Sequence, residues 1–262
     1  MKDIEFFSSG SYLFLPTLKN PKVALAVDDK HIAKNSFKLY NPFSKKAKIL
    51  KTISYQLVKL LKFTPIVKRY EKSDFITQIK AKLNKEIISS VYYATDKDKV
   101  VLQIQSKDIN QILGYMKVSL NEKGNEKIDN ESYAIDILST KGVLDSDYKI
   151  LFDRYNERSY LYLKNLDGDI SFCPENEVKN ILKKFYRDEK YLLKDHPRVL
   201  NLQEKLMQNK EYDLLEVLNK TVNSSKNKYS LVYEHGDFAP WNIIKVNNSW
   251  KVFDFEYFEK DG

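Results

Sequence analysis

Tyr233-Glu234-His235-Gly236-Asp237-Phe238-Ala239-Pro240-Trp241-Asn242-Ile243-Ile244, followed by Val252-Phe253-Asp254-Phe255-Glu256-Tyr257, is the stretch on which the reading of this chain turns. Ser230–Tyr233 is a β-rich run that His235-Gly236 breaks. Ile243–Val246 and Trp250–Phe253 are two further strand-like runs, joined by Asn247-Asn248-Ser249 as a hairpin turn. A hairpin centred on Asn248 sets Asn242 directly opposite Asp254, with Cβ atoms ~5 Å apart. Two hard oxygen ligands at that spacing suit one Mg²⁺ shared with phosphate oxygens, the usual mode for that ion. Asp237 lies on the loop just before, placed to accept a proton from an attacking hydroxyl. Any one of these residues alone reads more simply as part of a polar hairpin. The ordered set of Asp237, Asn242 and Asp254 is far more specific.

Upstream, a second pattern agrees. Ile87–Ala94, Val100–Gln105 and Ile112–Leu120 are β-rich runs separated by Asp96-Lys97-Asp98-Lys99 and Ser106-Lys107-Asp108. In Ile112–Leu120 the alternation puts Ile112, Met116, Val118 and Leu120 on one face and Leu113, Tyr115, Lys117 and Ser119 on the other. A helix is predicted from about Asp129 to Ser139, capped by Asp129 or Asn130. On it Glu131 shares a stripe with Ala134, Ile135 and Leu138. A carboxylate on an inward stripe is expensive unless paired, and Lys117, one strand back, is the nearby candidate. A strand lysine held by a glutamate of the next helix is the phosphate-positioning device of kinases.

The rest of the chain supplies the setting. Val23–Val27 reads as a short strand, and Lys149–Tyr155 and Ser159–Lys164 as two more. Ser44–Phe63 reads as a helix with Ile49, Ile53, Leu57, Leu60 and Leu61 on one side and lysines elsewhere. Packing on its own domain is the plainer expectation for that stripe, and a membrane surface is the alternative. Asn165-Leu166-Asp167-Gly168-Asp169 reads as a hinge, and helices follow over Glu175–Leu193 and Val199–Asn219. Strands and then helices predict an α+β chain of two lobes. The boundaries expected are an extension over 1–85 (a strand plus the amphipathic helix), an antiparallel-sheet lobe over 86–166, and a mainly helical lobe over 167–262. His31, His196 and Cys173 stand apart from the motifs and read as bystanders. Tyr160 and Tyr162 read either as borders of an adenine pocket or as ordinary strand aromatics.

Composition bounds what the chain can be. Of 262 residues, 42% are hydrophobic and 31% charged, enough apolar material for a true core and too much for a disordered tail. One cysteine excludes an internal disulfide and a cysteine-based zinc site. The first residues carry acids and no apolar stretch, so no secretory signal is expected. No run approaches the ~20 apolar residues of a membrane span. A soluble cytoplasmic protein is therefore expected. The +8 net charge, from 44 Lys+Arg against 36 Asp+Glu, permits polyanion or anionic-lipid binding without selecting it. The lysines are scattered along the chain, and nucleic acid is not an expected partner.

His235-Gly236-Asp237 with Asn242 five residues on resembles the H-G-D-x-x-x-x-N catalytic loop of the aminoglycoside phosphotransferase/choline kinase family. Phe253-Asp254-Phe255-Glu256-Tyr257 is similar to that family's metal-binding segment. The order of Lys117, Glu131, a hinge near 166, the loop and the acidic segment also matches, over roughly residues 87–262. The resemblance implies a bilobal protein-kinase-like fold and ATP-dependent phosphoryl transfer to a hydroxyl of a small molecule, such as an amino alcohol, a sugar or an aminoglycoside. It implies Asp237 as the base, with His235 bracing the catalytic loop. It implies Lys117 and Glu131 at the α/β-phosphates of ATP, and Asn242 and Asp254 on Mg²⁺ with Glu256 supporting the metal or facing the acceptor.

Two departures temper this reading. The turn Thr95–Lys99 has no glycine for close backbone approach to phosphate, leaving Lys97 or Lys99 as point charges. The chain also ends eight residues after Asp254, where the family continues with a largely helical segment, so a truncated helical lobe is expected. A catalytically silent, kinase-like binding scaffold is the rival expectation.

Overall fold

The computed structural model describes residues 6–42, 44–60, 67–93, 97–168 and 172–260. Ala94, the Thr95-Asp96 part of the glycine-free turn, the Leu61–Phe63 end of the predicted helix and Asp169 lie outside the described residues. The chain is α+β and falls into two compact units, residues 1–132 with 147–166, and residues 133–146 with 167–262.

The first unit is built on an antiparallel sheet. Its strands are β1 (Gly10–Leu15), β2 (Val23–Ala26), β3 (Val67–Tyr70), β4 (Ile87–Tyr93), β5 (Lys99–Ser106), β6 (Ile112–Ser119), β7 (Lys149–Tyr155) and β8 (Arg158–Lys164). Their order is β3-β1-β2-β4-β5-β6-β8-β7. The strands read from alternation between residues 87 and 164 are all present within a residue or so of their expected ends. Residues 1–85 hold more than a strand and a helix. They supply β1 to β3 of this same sheet, together with α1 (Lys30–Ser36), α2 (Lys45–Leu60) and α3 (Asp74–Leu83).

Two apolar layers explain why β1 escapes an alternation test. Tyr12 and Phe14 enter one buried cluster with Phe75, Ile76 and Ile79 of α3, while Leu13 and Leu15 enter another with Val23, Leu25, Phe37 and Tyr40. A strand covered on both faces reads as one apolar run rather than as a period of two. The first cluster continues into Leu102, Ile104, Met116, Val118, Tyr160 and Tyr162. Each such side chain contributes about 1.5–3 kcal/mol by leaving water. Tyr160 and Tyr162 are thus strand aromatics of the core, and Tyr160 Oη accepts from Lys82 Nζ at 2.9 Å.

α2 departs from expectation. It packs on its own unit, but through Leu50, Tyr55 and Val58 against the second cluster, with the Phe37 and Tyr55 rings 5.1 Å apart. Of the stripe predicted to face inward, the described residues Ile49, Ile53, Leu57 and Leu60 point to solvent instead.

α4 (Glu122–Thr140) also differs, starting seven residues before its predicted first turn. Asn121 Oδ1 accepts from the Gly124 N–H at 2.9 Å, so a side-chain cap opens the helix there. Gly124 allows the close approach, since a Cβ would run into the Asp98 carbonyl. Asp98 in turn receives Lys127 Nζ at 2.9 Å and Asn121 Nδ2 at 3.1 Å. Farther along, the Asn125 side chain joins β6 to β8, accepting from the Ser119 hydroxyl and, at 2.7 Å, from the Ser159 N–H.

The second unit holds α5 (Glu175–Lys183), β9 (Tyr186–Leu192), α6 (Pro197–Gln208), α7 (Tyr212–Ser224), β10 (Lys228–Val232), β11 (Ile243–Val246) and β12 (Ser249–Val252). The helix expected over 175–193 stops at Lys183, because Tyr186–Leu192 finds a partner in β10. The helix expected over 199–219 is two, broken near Lys210 at φ 60° and rejoined side by side through a 2.7 Å bond from Gln203 to Asn219. His196 caps α6, accepting from the Arg198 N–H at 3.3 Å.

Candidate active site

In the first unit, β6 carries Lys117 between β5 and β8, opposite Val101 on one side and Leu161 on the other. Met116 and Val118 are buried in the core, so by alternation Lys117 leaves the sheet on the other face. α4, pinned by Asn125 and Lys127, carries Glu131 fully buried in line with buried Ala134, Ile135 and Leu138. Lys117 Nζ meets Glu131 Oε2 at 2.7 Å. The structure therefore brings together the two residues that the strand alternation and the helix stripe had singled out. A lysine fixed this way presents its remaining N–H groups in a defined direction, as a group that must grip an anion requires.

In the second unit, the loop from His235 to Asn242 is closed by its own side chains. Asn242 Nδ2 donates to the Asp237 carbonyl at 2.9 Å and to Asp237 Oδ2 at 3.0 Å. This clasp fixes the Asp237 carboxylate and turns Asn242 Oδ1 away from it. Buried His235 accepts from the Asp237 N–H at Nδ1, at 3.3 Å, and donates from Nε2 to the Phe253 carbonyl at 3.1 Å. Its ring lies 4.6 Å from that of buried Phe255. His235 thus ties the loop to the segment that bears Asp254. Gly236, at φ +78°, lets the two chains touch, for a Cβ there would run into the Tyr257 backbone and side chain.

The hairpin register is one residue off the expected one. Ile243 pairs with Val252 and Val246 with Ser249, leaving a two-residue turn in which Asn247 adopts φ 54°. The ladder continues as the Phe253 N–H donates to the Asn242 carbonyl at 3.1 Å. Asn242 therefore faces Phe253, and Asp254 follows beyond the ladder at φ 69°. A turn shorter by one residue moves the cross-strand partner by one and exchanges the faces. Asp254 instead reaches its position through a left-handed backbone that aspartate tolerates better than most residues.

Buried Asn242, half-buried Asp254 and buried Glu256 offer oxygen donors alone. That chemistry fits a hard ion such as Mg²⁺ and does not suit a thiolate- or imidazole-loving metal. Sequence reasoning missed Arg198, which bonds both Glu234, at 2.6 Å, and Glu259 and so staples the antiparallel bridge between those two residues. An arginine on a helix 36 residues before its partner leaves no local signal.

Burial pushes the His235 imidazole below its ordinary range, outweighing the Phe253 carbonyl and the Asp254 and Asp237 charges that favour the cation. The folded protein therefore binds a proton at His235 less readily than the unfolded chain does. Its contribution to stability is complete above about pH 6.5 and declines as pH falls from there toward the depressed folded value. Urea midpoints followed from about pH 7.5 down to about pH 5 should fall more steeply in the wild type than in His235→Gln. Parallel curves would show that the imidazole does not titrate against folding.

Neither the family models nor the curated proteins with which the chain was compared match it.

Proposed function

We propose that the chain is an ATP-dependent phosphotransferase that moves the γ-phosphate to a hydroxyl of a small molecule. The observation that carries this is the buried Lys117–Glu131 pair, 2.7 Å apart on a sheet strand and the following helix. Burying an ion pair costs desolvation that apolar side chains would avoid, so a functional reason for it is expected. The strand-lysine and helix-glutamate arrangement is the one kinases use at the nucleotide phosphates.

Local geometry supports the following roles. Lys117, directed by Glu131, offers its ammonium to the α/β-phosphates. Asp237, its carboxylate held by Asn242, takes the proton from the acceptor hydroxyl. The acceptor oxygen forms a bond to the γ-phosphorus as the bond from that phosphorus to the β–γ bridging oxygen breaks, giving ADP and a phosphate monoester. Asn242, Asp254 and Glu256 would hold Mg²⁺, which when bound neutralises charge on the phosphates. His235 stays neutral and holds the loop in shape. In such chemistry positioning and electrostatics supply most of the rate.

A specific observation favours a second reading, a silent kinase-like scaffold. At the glycine-free turn, Lys97 adopts φ 60° and Asp98 is a carboxylate already engaged by Lys127 and Asn121. A phosphate lying there would find no glycine backbone in the turn, and the Lys127 ammonium beside it is already committed to Asp98.

Phosphate transfer from labelled ATP to a panel of amino alcohols, sugars and aminoglycosides decides between them. Asp237→Asn is expected to lower transfer by roughly 10²–10⁴-fold, the usual share of a general base. The Mg²⁺-dependent thermal stabilisation by ATP should survive in that variant. Undiminished transfer would remove Asp237 from the role. Neither transfer nor stabilisation by MgATP in the wild type would leave the scaffold.

A further inference from the structure

The outward face of α2 is a feature of the first unit that phosphoryl transfer does not use. Ile49, Ile53, Leu57 and Leu60 are 59%, 52%, 40% and 75% exposed. Their spacing of four, four and three residues makes one continuous apolar ridge along the helix. The helix does not need this ridge for its own packing. It is already seated through Leu50, Tyr55 and Val58 on the cluster of Leu13, Leu15, Val23, Leu25 and Phe37. Scattered exposed leucines need no explanation, but four in register on one helix do.

The charge on the same helix selects the partner. Lys45–Leu60 contains Lys45, Lys46, Lys48, Lys51 and Lys59 and no aspartate or glutamate. On a helical projection at 100° per residue, Lys45, Lys48 and Lys59 lie along the solvent-side flank of the ridge and Lys46 at its N-terminal end. An apolar ridge bordered by ammonium groups fits an interface with hydrocarbon in the middle and anions at the rim. A bilayer carrying anionic lipids has that profile: the ridge enters the acyl boundary and the lysines meet the headgroups. A nucleic-acid duplex would match the lysines and leave the ridge in water.

We propose that α2 docks the protein on anionic membrane surfaces, lying in the interfacial plane without crossing it. No described helix is long and apolar enough to cross a bilayer, and this mode requires none.

The test is co-sedimentation of the full chain with vesicles of phosphatidylcholine alone and of phosphatidylcholine mixed with phosphatidylserine. Binding is expected to the mixed vesicles and not to the neutral ones. It should fall steeply between about 0.1 M and about 1 M salt, as the screening length shrinks from ~10 to ~3 Å. Lys48→Ala should weaken it about fivefold, the equivalent of ~1 kcal/mol per lysine at such a surface. Ile53→Ser combined with Leu57→Ser should abolish it with the far-ultraviolet circular dichroism unchanged, since both side chains lie on the exposed side of the helix. Absence of binding to the mixed vesicles, or equal binding to the neutral ones, would overturn the proposal. So would full binding by the serine variant combined with displacement by duplex DNA, which would mark a polyanion site. Concentration-dependent dimerisation that the serine variant loses, without vesicle binding, would assign the ridge to a second copy and overturn it too.

Discussion

Gly236→Ala should lower the melting temperature of the protein by roughly 10 °C and leave the loop from His235 to Asn242 open to protease. Two costs combine. At φ +78° an L-residue is strained by about 1–2 kcal/mol. The added Cβ must also displace Tyr257, whose carbonyl carbon lies 2.7 Å away, and forcing extra volume into packed structure costs about 1–3 kcal/mol. At about 2–4 °C per kcal/mol for a chain of this size, the sum gives the shift quoted. Gly142 supplies the control. It too has positive φ, at 65°, but a Cβ there meets nothing within 4 Å. Gly142→Ala should therefore show the strain alone, a few degrees at most. Equal shifts in the two variants would mean that the contact between the loop and the Asp254 segment is not closely packed. The contrast can be read by differential scanning calorimetry with no knowledge of the substrate.

The second large effect concerns Lys117 and Glu131. Lys117→Met leaves the Glu131 carboxylate buried without its ammonium partner, and losing one member of such a pair costs about 3–5 kcal/mol. Replacing both, Lys117→Met with Glu131→Leu, should recover much of that loss, since the buried carboxylate is then removed along with the ammonium that balanced it. The double-mutant cycle in urea is therefore expected to be strongly non-additive. The proposed phosphate transfer should be lost in the single and double variants alike. Stability recovered without activity would separate the proposed chemical duty of the pair from its structural one. Additive stabilities would show that the two side chains do not depend on one another.

Legibility followed the range of the forces involved. The strands between residues 87 and 164 could be read because their alternation is local. Lys117 and Glu131 could be paired because the helix stripe placed the Glu131 carboxylate on an inward face and Lys117 lay on the strand just before it. Features decided by one side chain or one distant partner were missed. Asn121 caps α4 a full two turns early, although no capping pattern begins with it and Glu or Gln three residues on. Tyr186–Leu192 has no helix breaker and becomes a strand only because Lys228–Val232 lies alongside. Lys210 ends a helix with a positive φ that glycine would have announced and lysine does not. The hairpin was recognised, yet whether Asn247-Asn248 or Asn247-Asn248-Ser249 makes the turn decides which residue faces Asn242, and composition is silent on that choice. The exposed side of α2 was the hardest to foresee. Its apolar residues span about two-thirds of the helix circumference, and only the finished domain shows which part it covers.

Residues 1–85 also settle where the sheet ends. Without β1 to β3, β4 would be an outer strand, with the N–H and C=O groups of Ile87, Ser89 and Val91 open to any extended chain. Ser8 and Ser89 exchange backbone–hydroxyl bonds at 3.2 and 3.3 Å, and β2 pairs with Ala24 against Val91, so that row is closed within the molecule. The outermost strands are then β3, which carries Lys68 and Arg69, and β7, which carries Lys149, Asp153 and Arg154. Charges at both rims repel the edge-to-edge pairing that leads to fibres. The amino-terminal third is in this sense an aggregation guard for the sheet that holds Lys117, and a chain trimmed to residues 86–262 would lose that guard together with the part of the core that Tyr12, Phe14, Phe75, Ile76 and Ile79 supply.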